Sequence, residues 1–340
     1  MGTKIFELIS KKDIEISELN NKIIVVDASL YLYQFLATIR QADGSLLTDS
    51  KGQVTSHLVG LFARTTSLME QGLKLAFCFD GKPPALKSRE RERRKDIKIK
   101  AQTEYEVAKK REDIELMKKY AARTSKITPE MMQESKDLLT ALGLPVIQSP
   151  SEGEAQAAYM VKNKDAYAVS TNDADSLLFG APKLIKNLSI SQKKKIHGKS
   201  AYSSAKPQLI ELESVLKELS INQDQLITLA ILVGTDYNYG GIKGIGHKTA
   251  LKLVKEYKSD FKTLFEKIEW DKFYNFSWKE IFDTIKNMPV EKKYELKWDL
   301  PNIKKIKEIL CERHDFAEAN IDNKLAKIKS KSQQGLNKFF

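Results

Sequence analysis

The sequence contains little cysteine and no long apolar run. Its 340 residues include two cysteines, Cys78 and Cys311, which lie far apart and match no metal-ligand spacing. This usage fits a reducing intracellular compartment. No window approaches the roughly 20 apolar residues of a membrane span, and the first residues hold no apolar stretch long enough for a signal peptide. We therefore expect a soluble, cytoplasmic protein.

Positive charge is what the sequence has in excess. The chain carries 57 Lys and Arg against 45 Asp and Glu, a formal charge of +12 with a pI near 9.3. Residues 82–111 alone hold twelve basic and five acidic side chains, which is +7 of that total. Such a balance favours a polyanionic partner such as nucleic acid, although many charged helices are only solvated surfaces.

Three short apolar stretches run directly into acidic residues. They are KIIVVDASL (22–30), LAFCFDG (75–81) and AYAVSTNDADSLLFG (166–180), with helix-like segments between them. This alternation predicts an α/β fold with a mostly parallel central sheet flanked by helices. Ligands bind at the carboxyl edge of such sheets, so the repeated acidic strand ends indicate a functional site.

Seven acidic residues follow an apolar segment or a helix-start signal: Asp27, Asp80, Glu152, Glu154, Asp173, Asp175 and Asp236. Taken singly, an Asp at a strand end is more often a cap or turn residue. Together they would repel one another strongly unless cations lay between them. Oxygen-rich clusters suit Mg²⁺ or Mn²⁺, and a pair of such ions is the usual device for in-line displacement at phosphorus.

Five segments resemble the motifs of the flap endonuclease family in order and spacing. They are VVDAS with YLYQFL (25–36), FDGKPPALKSRERERR (79–94), PSEGEAQAA (150–158), STNDADSLLFG (170–180) and LVGTDYNYGGIKGIGHKTA (232–250). The resemblance covers nearly the whole chain. It implies a structure-specific 5′ flap endonuclease with 5′–3′ exonuclease activity that acts on branched DNA in replication, including Okazaki fragment maturation, and in repair.

The resemblance also implies roles for individual residues. The seven acids would hold two Mg²⁺ ions, for which Mn²⁺ would substitute, and Lys87 and Arg94 would act on the scissile phosphate. Their spacing of seven independently places both on one helix face. Tyr33 would stack on an unpaired base. Without the resemblance, the two cations would be assigned to a solvated basic helix and Tyr33 to the core.

The family's organisation implies a nuclease core of the PIN-like type that is divided among several segments. These are an N-terminal nuclease region (1–98), a helical arch (88–127), an internal region (128–258) with a helix-hairpin-helix at 237–256, a C-terminal helical region (259–322) and a flexible tail (323–340). In the hairpin, Gly244 and Gly246 would let backbone amides approach a duplex phosphate, and Lys243 and Lys248 would add charge.

The tail ends in a pattern that matches the sliding-clamp peptide. Gln333, Leu336, Phe339 and Phe340 follow the spacing Gln-x-x-Leu-x-x-Phe-Phe. Two terminal Phe side chains are expected to be buried, either by a partner or by folding back on the chain's own surface. We expect them to bind a sliding clamp (PCNA). Relatives of nuclear origin carry a further basic tail after this motif, so the resemblance implies a protein of archaeal type. We also expect a monomer.

Two other functions stay open at the level of sequence. A non-catalytic, clamp-bound DNA-binding factor would share the basic charge and the tail, but it has no need of seven acids. A nuclease of the same fold that prefers RNA or Holliday junctions would share the acids. The arch and the clamp motif argue against junction resolution, which requires two active sites acting on opposite strands.

Overall fold

The computed structural model describes residues 4–121, 123–189, 193–195, 202–204 and 206–336. Its strands are β1 Lys12–Asp13, β2 Ile23–Asp27, β3 Lys74–Phe79, β4 Val146–Gln148, β5 Ala168–Ser170, β6 Lys183–Lys186, β7 Lys193–Lys195, β8 Tyr202–Ser204 and β9 Gln208–Glu211. Its α-helices are α1 Ala28–Thr38, α2 Ser56–Glu70, α3 Ser88–Lys110, α4 Ile114–Ala121, α5 Pro129–Ala141, α6 Gly153–Lys162, α7 Asp175–Leu178, α8 Leu212–Leu219, α9 Gln223–Val233, α10 His247–Tyr257, α11 Phe261–Lys267, α12 Trp278–Lys286, α13 Ile303–Lys307 and α14 Glu318–Leu336.

A mostly parallel sheet lies at the centre of the described residues. Its strand order is β1-β9-β6-β5-β2-β3-β4, and β7 and β8 form a separate two-stranded sheet. The five strands from β6 to β4 are parallel, whereas β9 and β1 pair antiparallel at one edge. The predicted fold class is therefore confirmed.

Burial on both faces explains why the central strands are apolar throughout. Ile24, Val25 and Val26 of β2 are completely buried, because helices cover both sides of the sheet. Helix α1 begins where β2 ends, and the Asp27 carboxylate caps it by accepting a hydrogen bond from the Leu30 amide at 3.1 Å. The strand end, the helix start and a functional candidate thus coincide at one residue.

The segment predicted to form the arch consists of two helices. Helix α3 is almost entirely solvated, and it turns into α4 at Glu112, whose φ is +55°. The two helices pack against each other, and Ala101, Ala108 and Met117 are buried. The small side chains of Ala101 and Ala108 allow the two helices to pack closely.

The predicted helix-hairpin-helix corresponds to the turn between α9 and α10, which are in contact. Beyond it, the tryptophans pack internally, as the sequence indicated. Trp278 stacks on Phe265 with ring centroids 4.4 Å apart, and Trp270 meets the same ring edge-on at 5.3 Å. Trp298 donates from Nε1 to the Leu75 carbonyl at 2.8 Å.

The predicted C-terminal helical region (259–322) contains a non-helical segment. No helix forms between α12 and α13, where Pro289 and Pro301 interrupt the chain. This segment returns to the sheet, and the Asp299 amide donates to the Gly143 carbonyl at 3.0 Å. Regions 128–258 and 259–322 therefore share a core.

Residues 323–336, which are part of the predicted flexible tail (323–340), belong to helix α14. Ile321 and Leu325, one helical turn apart, are buried in the same core as β2 and β3, and this packing stabilises the helix. Residues 337–340, which include Phe339 and Phe340, lie outside the described residues. Among the residues described, no helix has the length and apolar character needed to cross a membrane.

Candidate active site

The seven predicted acids line one cleft of about 750 Å³. The cleft lies at the carboxyl edge of the parallel strands and is bordered by α3 and by the α9–α10 turn. Tyr33, Lys87 and Arg94 line the same cleft. Ten of the residues singled out in the sequence are therefore brought together.

Four neighbouring parallel strands deliver six of the seven acids. Asp27 ends β2, Asp80 follows β3, and Asp173 and Asp175 follow β5. The remaining pair, Glu152 and Glu154, follows β4 and opens α6. Strand β4 was not predicted from the sequence, because three residues are too few to show a periodicity.

Short hydrogen bonds orient these carboxylates. Asp80 Oδ1 accepts from the Gly153 amide at 2.6 Å, and a Cβ at Gly153 would lie 3.0 Å from the same oxygen. Glu154 Oε1 accepts from Thr171 Oγ1 at 2.7 Å and from Ser176 Oγ at 3.2 Å. The carboxylates are thus held in place by groups on the adjoining turns and helices.

The chemistry of the donors fits a hard divalent cation. Oxygens of Glu154, Asp173 and Asp175 all lie within 4.8 Å of one another. Burial, reinforced by the charge of Asp80, raises the pKa of Asp27 to about 8. Burial and then the charge of Asp173 raise the pKa of Glu154 well above its ordinary value. Such carboxyl groups are stabilised as anions only when a cation joins them.

The two predicted basic residues, Lys87 and Arg94, contact the acids at one end of the cleft. Lys87 Nζ lies 2.6 Å from Glu152 Oε2 and 3.4 Å from Asp236 Oδ2, and Arg94 Nη2 lies 2.6 Å from Asp236 Oδ1. Burial alone would raise the pKa of Asp236, but Lys87 and Arg94 outweigh it and lower that pKa. Burial would lower the pKa of Lys87, but Glu152 in particular raises it. Lys87 and Arg94 are both held as cations.

Three further residues of this region were not identified from the sequence. Glu90 is only 5% exposed, and it accepts from Arg93 Nε at 2.6 Å and from Arg94 Nε at 2.8 Å. Arg93 in turn lies over the ring of Tyr239, which lines the cleft. The spacing of Glu90 from the two arginines, three and four residues on a helix, was the available signal.

The Gly244–Gly246 part of the hairpin lies outside the acidic cleft. Gly244 has a φ of +88°, which favours glycine, and Gly246 precedes α10. Both have open space where a side chain would project, and Lys243 and Lys248 are exposed. None of these four residues lines the cleft. The hairpin therefore offers a second surface to a long ligand.

Family models match two parts of the chain. Residues 2–101 match the XPG N-terminal domain, and residues 143–236 match the XPG I-region. The chain is 49% identical over 335 residues to flap endonuclease 1 of Thermococcus onnurineus, covering 98% of this chain and 96% of that relative. It is 48% identical to flap endonuclease 1 of Pyrococcus abyssi over 335 residues, with the same coverage of both proteins.

Solved structures agree with these matches. The flap endonuclease-1 of Methanococcus jannaschii superposes with a TM-score of 0.76 at 38% identity, covering 96% of this chain and 98% of that one. The catalytic core of Rad2 in complex with a DNA substrate has the same fold, with a TM-score of 0.70 at 24% identity over 96% of this chain and 100% of that one. From its motifs, its fold and its full-length relatives, the chain belongs to the flap endonuclease family.

Proposed function

We propose that this protein is a structure-specific 5′ flap endonuclease that hydrolyses a phosphodiester of branched DNA with the help of two Mg²⁺ ions. The observation that carries the proposal is the single cleft in which seven carboxylates face Lys87 and Arg94. A protein that only bound DNA would gain nothing from a buried acidic cluster, which repels phosphate. Removal of flaps in replication and repair, with a secondary 5′–3′ exonuclease activity, is the corresponding biological role.

The carboxylates would divide the work of holding the cations. Glu154, Asp173 and Asp175 form the tightest group, and Asp27, Asp80, Glu152 and Asp236 complete the cleft. When bound, the ions would neutralise the phosphate's charge and lower the pKa of a water molecule. The oxygen-only donor set favours Mg²⁺, with Mn²⁺ as a substitute.

Lys87 and Arg94 would contact the scissile phosphate directly. Lys87 lies in the turn just before α3 and Arg94 lies in α3 seven residues further on, and each is ion-paired to an acid of the cleft. A phosphate entering the cleft would take over these cations, which would then stabilise charge that develops on its oxygens. Tyr33, with 43% of its surface exposed in the cleft, offers a ring for an unpaired base.

Other surfaces would select branched DNA. Helices α3 and α4, which occupy the predicted arch, would contact the single-stranded flap, and this affinity should fall with salt. At the hairpin, the exposed Gly244–Gly246 turn and its lysines would contact duplex phosphates. Because the arch and the hairpin border the cleft on separate elements, a substrate with both a duplex and a free strand would engage all three.

The proposed function is tested by cleavage of labelled double-flap DNA with Mg²⁺, with EDTA and with a blocked 5′ end. We expect cutting at the flap base that requires the divalent cation and is strongly slowed by the block, because the strand must pass the arch. An unbranched duplex of the same sequence serves as the control. Absence of cutting with every divalent cation would favour the DNA-binding factor instead.

We further propose that residues 333–340 dock this monomer on a sliding clamp in the cytoplasm of an archaeal cell. The Gln333, Leu336, Phe339 and Phe340 pattern supports this partner. Deleting 333–340 should leave basal cutting unchanged but abolish its stimulation by the clamp. Replacing both Phe residues with alanine should reproduce the loss, whereas replacing Lys338 should not. Full stimulation of the truncated chain would contradict the assignment.

A further inference from the structure

Two aromatic rings are exposed inside the cleft. Tyr33 on α1 is 43% exposed, and Tyr239 in the α9–α10 turn is 57% exposed. The family resemblance assigns a stacking role to Tyr33, but nothing in the resemblance accounts for Tyr239. A large aromatic side chain left exposed beside an active site is a candidate contact for substrate.

The backbone around Tyr239 is firmly anchored. On one side, the buried Asn238 donates from its side chain to the Ile231 carbonyl at 2.7 Å and accepts from Thr235 Oγ1 at 2.7 Å. On the other side, Gly241 has a φ of +60°, and a Cβ there would lie 2.4 Å from the Leu232 carbonyl oxygen. The turn is thereby fixed against α9, so the exposure of the ring is built into the fold.

Each exposed ring is covered by a cation from α3. The Arg93 guanidinium lies 3.5 Å from the centroid of the Tyr239 ring, and Lys98 Nζ lies 5.1 Å from that of Tyr33. Arg93 is also held by Glu90, whose carboxylate accepts hydrogen bonds from Arg93 Nε at 2.6 Å and Nη2 at 2.7 Å. A pairing of aromatic rings and cations is the arrangement that binds single-stranded nucleic acid.

Helix geometry separates the two pairs. Arg93 and Lys98 are five residues apart, which is about 7.5 Å along α3 and about 140° around its axis. The two side chains therefore leave the helix on different sides. Because both rings line the same cleft, a strand lying in it would meet the two rings at different faces of α3.

We propose that Tyr239 is a second stacking platform, which takes an unpaired nucleobase of the substrate strand, and that Arg93 is its cover in the DNA-free protein. The base would replace the guanidinium on the ring, and Arg93 would then turn to a neighbouring phosphate while Glu90 still held it. This inference rests on the proposed flap endonuclease function. It adds a binding residue that contacts a different face of α3 from Tyr33.

The test is fluorescence of 2-aminopurine placed in turn at each nucleotide around the cleavage site of a flap substrate, measured in EDTA. In the wild-type protein, stacking should quench one position that Tyr33→Ala leaves quenched. Tyr239→Ala should abolish that quenching and raise KM for cleavage about five- to tenfold, with a smaller change in kcat. Tyr239→Phe should retain both properties, and Tyr239→Leu should lose both.

Phe273, an aromatic residue that is 42% exposed and does not line the cleft, provides the matched control, and Phe273→Ala should behave as wild type. The alternative is that Tyr239 serves only to hold Arg93. In that case Arg93→Ala would reproduce the whole KM effect, and the quenching would survive in Tyr239→Ala. That result would overturn the proposal. Failure of the wild-type protein to cut flaps would instead overturn the function on which the proposal rests.

Discussion

Replacement of Asp175 by alanine is expected to reduce flap cleavage by at least about 10³-fold while leaving flap binding largely intact. Loss of a group that merely orients a metal ligand costs about 10- to 100-fold, and loss of a ligand itself should cost more. Asp175 has an oxygen within 4.8 Å of oxygens of both Glu154 and Asp173. Single-turnover cleavage with saturating enzyme would measure the loss without interference from binding.

The melting temperature distinguishes a loss of catalysis in Asp175→Ala from misfolding. Burial and neighbouring carboxylates, including Asp175, raise the pKa of Glu154. Removal of one negative charge relieves that repulsion, so the melting temperature of the Asp175→Ala variant in EDTA should equal or exceed that of the wild type. The increase in melting temperature that Mg²⁺ produces should shrink in the variant. Asp137→Ala, on α5 outside the cleft, should change neither quantity.

Retained cutting by Asp175→Ala would contradict the two-metal proposal. A fall in affinity for the flap equal to the fall in rate would also count against it, because the carboxylate would then be acting on substrate binding. The Asp175→Asn variant preserves the shape of the side chain and removes its charge. We expect it to be nearly as inactive as the alanine variant.

Replacement of Lys87 by alanine should lower the single-turnover rate by about 10²- to 10³-fold, the usual effect of removing one group that stabilises developing charge. The ammonium group lies between Glu152 and Asp236, with 16% of its side chain exposed, so it is already positioned before substrate enters. Its removal also leaves Glu152 without its closest cation, and burial would then raise the pKa of that carboxyl further.

Lys95, an exposed lysine on α3 that does not line the cleft, is the matched control for Lys87. Lys95→Ala should weaken flap binding slightly and reduce its salt dependence, with no effect on the saturated rate. Lys87→Ala should show the reverse pattern. A Lys87→Ala variant that cut at the wild-type rate when saturated would limit this lysine to a structural role as the partner of Glu152 and Asp236.

The ion pairs of Lys87 and Arg94 bear on how the cleft accepts DNA. Both cations are engaged with acids, Lys87 with Glu152 and Arg94 with Asp236. Divalent cations would compete for the same carboxylates, and a phosphate would compete for the same side chains. The internal pairs therefore offset part of the negative charge of the cleft, and under the proposed function they would be exchanged for substrate contacts.

Much of the fold and the site was predictable because its signals are local. Apolar strands that end in Asp27 and Asp80 indicated a parallel sheet with an acidic edge, and the seven-residue spacing of Lys87 and Arg94 placed them on one helix face. The family motifs supplied the remaining acids. Short-range pattern thus determined the fold class, the family and the residues to be assembled.

Only the tertiary structure decided how these residues meet and what surrounds them. Strand β4 has three residues and no periodic signal, yet its pairing with β3 places Glu152 beside Lys87. The contact of Arg93 with Tyr239 joins residues nearly 150 positions apart, and helix α14 is stabilised by burial rather than by its own sequence. These features depend on packing between distant segments, so a pattern read along the chain does not contain them.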